Sequence, residues 1–271
     1  MQLFAIIFFL IVIFCCIFGI GILISAFLRH REKQTRLTKT LLILQIYMNI
    51  FIIISLLSTL FLLFDIDVLD KPVTAGMFPS GISVLILGHT FFYHFTTLFL
   101  MIAFFYYYSF ARLVFGEEEK GQKLVKFIIS LIATSIVIEV VIDSILLYSI
   151  ICLMLDIPIN YELVSLSVYH LPLFGGFLFL ATNSIVSIPI CFNSLRVWKR
   201  IPEESPHKSN LLYLAVLAVL NIISIVFSVI DVLLVRTGAP SPTVAFVLTW
   251  ICVPLIIYTA YRGFFSRRSG K

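Results

Sequence analysis

The chain has 271 residues, of which 61% are hydrophobic and 12% are charged, and its mean hydropathy is +1.12. Soluble domains contain about 45–50% apolar and about 25% charged residues. This composition therefore excludes a soluble globular fold and indicates a protein whose solvent is lipid. The formal net charge of +5 comes from basic connections between apolar segments and does not indicate a nucleic-acid-binding surface.

Seven apolar segments follow one another along the chain, each long enough to cross a bilayer as a helix at 1.5 Å per residue. They occupy residues 3–27, 40–64, 81–110, 127–155, 166–192, 211–235 and 243–264. The first lacks the basic start of a signal peptide, so we expect it to be retained as a helix. We predict an all-α membrane protein with one domain over residues 1–271, a seven-transmembrane helix bundle and a short tail at 265–271.

The basic residues give the predicted bundle an orientation. Seventeen of the nineteen Lys and Arg residues lie on one side, in the connections after the first, third and fifth segments and in the tail. The opposite side carries only Lys71 and Arg236. Because basic loops stay in the cytoplasm, we predict the N-terminus outside and the C-terminus inside, the plan of a G-protein-coupled receptor (GPCR-like).

The sequence offers little for catalysis or cofactor binding. The seventh segment has no lysine, so it cannot form an opsin-type retinal Schiff base. Neither a Gly-rich phosphate loop nor a His-Glu-x-x-His motif is present. His89 and His94 lie about 140° apart around a helix, which is poor geometry for joint metal ligation. We therefore predict no enzyme activity, no catalytic residue, no cofactor and no metal site.

Six ionisable residues lie inside the apolar segments. They are His89 and His94 in the third, Glu139 and Asp143 in the fourth, His170 in the fifth and Asp231 in the sixth. Since charge in the bilayer costs about 2.5–3.5 kcal/mol on insertion scales, such residues face the bundle interior or water. The predicted orientation puts five of them in the outer half.

Two interpretations of these residues stay open. In the first, His89, His94, His170 and Asp231 are the polar anchors of an outward-facing, aromatic ligand pocket. Glu139 and Asp143, four residues apart on one helix face, then form a buried polar network. In the second, His94 pairs with Glu139 or Asp143 between helices, and no ligand is involved.

The basic side would present a docking surface. Five residues near the cytoplasmic ends of the predicted helices are candidates to face a G protein: Arg112, Arg196, Lys199, Arg200 and Arg262.

Between Pro254 and Arg262 the seventh segment reads PLIIYTAYR. This ending resembles the Pro…Tyr-Arg ending of nematode serpentine chemoreceptors of the Str/Srh type, and the Phe- and Ile-rich segments are similar too. The resemblance implies a chemosensory receptor of the plasma membrane, with the ciliary membrane as a candidate location. It also implies a small apolar or weakly polar ligand and a heterotrimeric G protein as partners, with no nucleic acid.

The alternative is a function of a different class. A seven-helix transporter or a membrane-embedded enzyme would use Glu139, Asp143 and His94, for instance as a proton relay. A membrane scaffold without signalling is a third possibility.

Overall fold

A computed structural model describes residues 2–64, 84–115, 122–155, 157–205, 208–237 and 243–264. Within these ranges the chain is almost entirely helical and forms seven helices long and apolar enough to cross a membrane. They are α1 (Gln2–Glu32), α2 (Arg36–Phe64), α3 (Val84–Phe115), α4 (Gln122–Met154), α5 (Leu171–Arg200), α6 (Lys208–Arg236) and α7 (Val244–Phe264). The structure thus confirms an all-α, seven-helix membrane architecture.

Several helices run beyond the apolar segments that predict them. Helix α1 continues to Glu32, and α5 continues to Arg200, past the predicted ends at 27 and 192. Basic side chains interact favourably with the negative end of the helix dipole, and their stems can lie along apolar surface. The helices therefore end after their basic residues, and Lys199 and Arg200 occupy the last turn of α5.

The approach to α5 is irregular. A short helix, Tyr161–Ser165, begins where the Asn160 side chain accepts hydrogen bonds from the backbone N–H groups of Glu162 and Leu163. One π-helical turn, Leu166–His170, follows directly. Pro172 then stands at the start of α5, where its missing N–H is least costly. This entry turns Pro172 and Gly175 toward the interior, and both are buried.

The helices close into a ring. Each long helix packs against the next along the chain, and α7 packs against α1. Aromatic side chains join α1 to α7: the ring centroid of Phe8 lies 4.9 Å from that of Phe246 and 5.2 Å from that of Trp250. Phe51 of α2 stacks on Trp250 at 6.0 Å. The described helices therefore surround a common interior.

The outer surface of the bundle is apolar. Three examples are more than two-thirds exposed: Ile17 of α1, Phe192 of α5 and Val244 of α7. A soluble monomer would not expose large apolar side chains on all sides. Lipid is the solvent that suits this surface. Helices α1, α3, α5 and α7 finish at one end of the bundle, here called the basic end, and α2, α4 and α6 begin there. Which end faces the cytoplasm remains a prediction.

Candidate functional site

A cavity of about 200 Å³ occupies the interior of the ring. Its wall follows α3 from Tyr93 to Tyr107 and α7 from Phe246 to Ala260, and each stretch corresponds to about 21 Å of helix. The cavity is therefore long and narrow, parallel to the bundle axis. Its volume is below the roughly 300–1,000 Å³ of sites for drug-sized ligands, so it suits a small molecule.

Aromatic and aliphatic side chains form most of the wall. The aromatic members are Phe51, Tyr93, Phe104, Tyr107, Phe179, Phe246 and Trp250. Two adjacent glycines of α5 also line the cavity: a Cβ at residue 175 would meet Ile138 and Glu139 of α4, and one at residue 176 would meet Val229 of α6.

A hydrogen-bonded pair of ionisable residues lies in this wall. His94 Nδ1 is 2.9 Å from Glu139 Oε2, and only 7% and 5% of the two side chains are exposed. Since a carboxylate can only accept, Nδ1–H donates to Glu139. Glu139 Oε1 lies 3.6 Å from the position that a Cβ on residue 175 would occupy. This is an ordinary van der Waals distance, so α5 packs directly against the carboxylate at Gly175.

Asp143 lies one helical turn from Glu139 on α4, behind the cavity wall. Both of its carboxylate oxygens are buried, and neither has a hydrogen-bond partner among the described residues. It is close enough to interact electrostatically with His94 and Glu139. Ile142 and Leu146, which flank it along α4, are fully buried. One imidazole therefore faces two carboxylates in an apolar setting.

Two other predicted anchors, Asp231 and His170, lie outside the cavity wall. Asp231 of α6 accepts a hydrogen bond of 2.5 Å from the Thr243 hydroxyl, and Thr243 Oγ1 in turn accepts from Phe246 N–H. This interaction ties the end of α6 to the start of α7. His170 is exposed on the π turn, and the side chain of His89 lies outside the described residues. Of the three predicted anchors whose side chains the structure describes, His94 is the one in the cavity wall.

A second buried polar group was missed by reasoning on charged residues. Asn183 Nδ2 donates to the Asn221 carbonyl at 3.0 Å, and Ser187 Oγ donates to Asn183 Oδ1 at 2.6 Å. Asn183, Asn221 and Tyr107 line the half of the cavity nearer the basic end. An amide side chain inside an apolar segment could have predicted this site from the sequence. Gln45 and Asn49 of α2 are amides of the same kind, and they also line the cavity.

The predicted docking residues lie at the basic end with different exposures. Arg196, Lys199 and Arg200 are exposed on the last turns of α5, whereas Arg112 and Arg262 are half-buried. The two half-buried guanidinium groups lie over aromatic rings: Arg262 is 5.2 Å from the Tyr213 ring centroid and Arg112 is 6.0 Å from that of Tyr108. The three exposed residues of α5 can therefore contact a partner protein. Arg112 and Arg262, by contrast, pack against aromatic side chains of the bundle.

In the part of the chain that the structure describes, no group of three His, Cys, Asp or Glu side chains is arranged to hold a metal ion. Comparison with family models, curated proteins and solved structures gave no match to this chain.

Proposed function

We propose that this chain is a chemosensory G-protein-coupled receptor of the plasma membrane, related to the nematode serpentine chemoreceptors that its seventh helix resembles. The observation that carries the proposal is the central cavity. It is enclosed by the helix ring, mostly apolar, and extends along the bundle axis toward the basic end. A small apolar or weakly polar ligand suits its size and its wall.

The cavity supplies a route from ligand to basic end. A ligand drives a conformational change only by binding one arrangement better than another. Here it would contact His94 in one half of the cavity and Tyr107, Asn183 and Asn221 in the other. Because the Asn183–Asn221 hydrogen bond joins α5 to α6, a ligand that alters this contact shifts the two helices relative to each other.

The basic end is the proposed docking surface for a heterotrimeric G protein. Arg196, Lys199 and Arg200 project from the last two turns of α5, so a movement of α5 relative to α6 moves them as a unit. Electrostatic complementarity of this kind gives specificity and association rate more than raw affinity.

The test has two parts. The purified chain in lipid nanodiscs is mixed with heterotrimeric G proteins under nucleotide-free conditions, and cells expressing the chain are screened with odorant pools by a cyclic-nucleotide or calcium readout. We expect capture of a heterotrimer by the wild type and its loss when Arg196, Lys199 and Arg200 are all replaced by Ala. Replacing the three exposed residues Arg31, Glu32 and Lys33 at the same end is the matched control. Absence of capture and of any response, despite surface expression, contradicts the proposal.

A second candidate function is supported by the grouping of His94, Glu139 and Asp143. A proton-coupled carrier needs titratable groups inside the membrane, and these three lie together. Reconstitution in liposomes with a pH-sensitive dye separates the two functions. A carrier gives proton flux that is lost in Glu139→Gln and Asp143→Asn, whereas a receptor gives none.

A further inference from the structure

We propose that the half of the cavity away from the basic end binds a small primary amine as its ammonium ion. Glu139 is the counter-ion, and four aromatic side chains lie around the charged group. A small amine is weakly polar as the free base, so this inference names the chemical class of the ligand. It rests on the proposed function only in taking the cavity as a ligand site.

The first observation is a group of four aromatic side chains in the cavity wall, here called the aromatic cage: Phe51 of α2, Tyr93 of α3, and Phe246 and Trp250 of α7. Between ring centroids, Tyr93 lies 6.2 Å from Phe246, and Phe51 lies 6.0 Å from Trp250. Rings from three helices therefore meet at one level of the bundle. A cation within about 6 Å of such a ring centroid is attracted by the electron-rich face of the ring.

The second observation is the negative charge beside the cage. The ring centroid of His94 lies 5.4 Å from that of Tyr93, and His94 is hydrogen-bonded to Glu139. Tyr93 is also within electrostatic reach of both Glu139 and Asp231. Among the described residues that line the cavity, none is Lys or Arg. Because a neutral imidazole can donate from Nδ1–H, the Glu139 carboxylate can serve as the counter-ion of a bound cation.

The third observation concerns the hydroxyl groups next to the cage. Three of them line the cavity and donate to a carbonyl of their own helix: Ser55 to Phe51 at 2.8 Å, Thr97 to Tyr93 at 3.1 Å and Thr249 to Ala245 at 3.1 Å. Their protons are therefore engaged, while a hydroxyl oxygen still has lone pairs that can accept.

This arrangement matches the hydrogen-bonding needs of an ammonium group. An ammonium group has three N–H donors and no acceptor, and burying a donor without a partner costs free energy. The Glu139 carboxylate and the hydroxyl oxygens of Thr97 and Thr249 are acceptors near the cage. A carboxylate ligand finds few donors there and is repelled by Glu139. The site therefore selects a cation with N–H groups and disfavours an anion.

The rest of the ligand lies further along the cavity. Beyond the cage, α3 contributes Leu100, Met101 and Phe104 to the wall, and an alkyl chain attached to the nitrogen packs along these side chains. The cavity volume of about 200 Å³ restricts the ligand to a small molecule.

The experiment measures binding directly, without a G protein. Isothermal titration calorimetry on the full chain in nanodiscs of zwitterionic lipid at pH 7 compares three probes with the same chain length: hexylamine, 1-hexanol and hexanoic acid. An alkylamine, like the lysine side chain, is protonated at this pH. Empty nanodiscs correct for partitioning into lipid. We expect saturable binding of hexylamine that is about tenfold tighter than that of 1-hexanol, and no saturable binding of hexanoic acid.

Tryptophan fluorescence locates the bound amine. Trp250 belongs to the cage, whereas Trp198, the other tryptophan of the chain, does not line the cavity. Hexylamine should change the emission of Trp250 in a Trp198→Phe chain and leave that of Trp198 unchanged in a Trp250→Phe chain.

Variants provide the next arm. Glu139→Gln keeps the size of the side chain but loses its charge, and it should weaken hexylamine binding about tenfold while leaving 1-hexanol binding nearly unchanged. Thr249→Val replaces a hydroxyl acceptor by a methyl group and should weaken hexylamine binding about tenfold. Ser149→Ala, at a buried polar residue of α4 outside the cavity wall, is the matched control and should have no effect.

The comparison of probes in the wild-type chain needs no variant, so a variant that fails to fold does not decide the outcome. Equal affinity for hexylamine and 1-hexanol overturns the proposal, as does a preference for hexanoic acid or an absence of saturable hexylamine binding. A chain that captures a G protein but binds no amine refutes the amine site alone. Amine binding without capture of a G protein refutes the receptor function alone.

Discussion

Gly19 of α1 lies directly against Asn49 of α2: a Cβ atom at residue 19 would come within 2.9 Å of Asn49 Oδ1. Asn49 cannot easily withdraw, because it is buried and its Nδ2 donates to the Gln45 carbonyl at 2.8 Å. The close approach of α1 and α2 therefore depends on the absence of a side chain at residue 19, as in other small-residue contacts between membrane helices.

Replacing Gly19 by Ala should destabilise the bundle. Overpacking costs about 1–3 kcal/mol and the gain in helix propensity returns about 0.5–1 kcal/mol, so we expect a net loss of about 1 kcal/mol. Equilibrium unfolding by SDS in mixed micelles measures it. Gly21→Ala is the matched control, since a Cβ there meets nothing within 4 Å, and it should be neutral or slightly stabilising. Equal effects of the two changes would argue against the close contact.

The His94–Glu139 pair should respond asymmetrically to truncation. His94→Leu leaves Glu139 buried beside Asp143 with no hydrogen-bond donor among the described residues, and breaking a buried pair in this way costs about 3–5 kcal/mol. Glu139→Leu costs less, because an imidazole left alone can be neutral. The double variant should recover much of the loss. A double-mutant cycle on the free energy of unfolding measures the coupling, and additive effects would mean that the two side chains do not interact.

Asp143 and Asp231 are both buried acids, and they should behave in opposite ways. Asp143 has no hydrogen-bond partner among the described residues, so Asp143→Leu should raise the free energy of unfolding by about 1–3 kcal/mol. Asp231→Leu removes the acceptor of the Thr243 hydroxyl and should lower it. Both variants are compared by the same SDS titration. Destabilisation by Asp143→Leu would indicate that the carboxylate has a partner, such as a bound cation or water.

The architecture was predictable from the sequence, but most of the residues that line the cavity were not. Hydropathy locates the seven spans because every lipid-crossing helix must be apolar over its full length. The same property conceals the packing, since residues that face lipid and residues that face other helices are equally apolar. On α1, for example, Val12 is fully buried while Ile17 is 68% exposed, and their side chains are nearly the same in chemistry. Small and polar residues such as Gly19 and Asn49 mark the inner faces instead.

The candidate site was also predictable in part from the sequence. A charge inside the membrane must face the interior, and the fold pairs His94 with one of the two acids that sequence reasoning named for it. Which acid would be chosen depends on the axial offset of α3 and α4, and this offset cannot be read from the sequence of one helix. Asp231 was grouped with the ligand anchors because its depth is similar. Its partner Thr243 lies just across a short connection, where the end of α6 meets the start of α7.

The orientation of the bundle determines whether a ligand from outside can reach the cavity. This orientation can be measured by labelling exposed positions at the two ends. Thr237 lies at the end opposite the basic end, Glu204 lies at the basic end, and both are exposed. In a background without the five native cysteines, a membrane-impermeant maleimide should label Thr237→Cys on intact cells. Glu204→Cys should be labelled only after permeabilisation, because the basic connections stay in the cytoplasm. Ile17→Cys, in the lipid-facing surface of α1, should resist labelling in both conditions. The reverse pattern would place the basic end outside, which would overturn the docking surface proposed for the G protein.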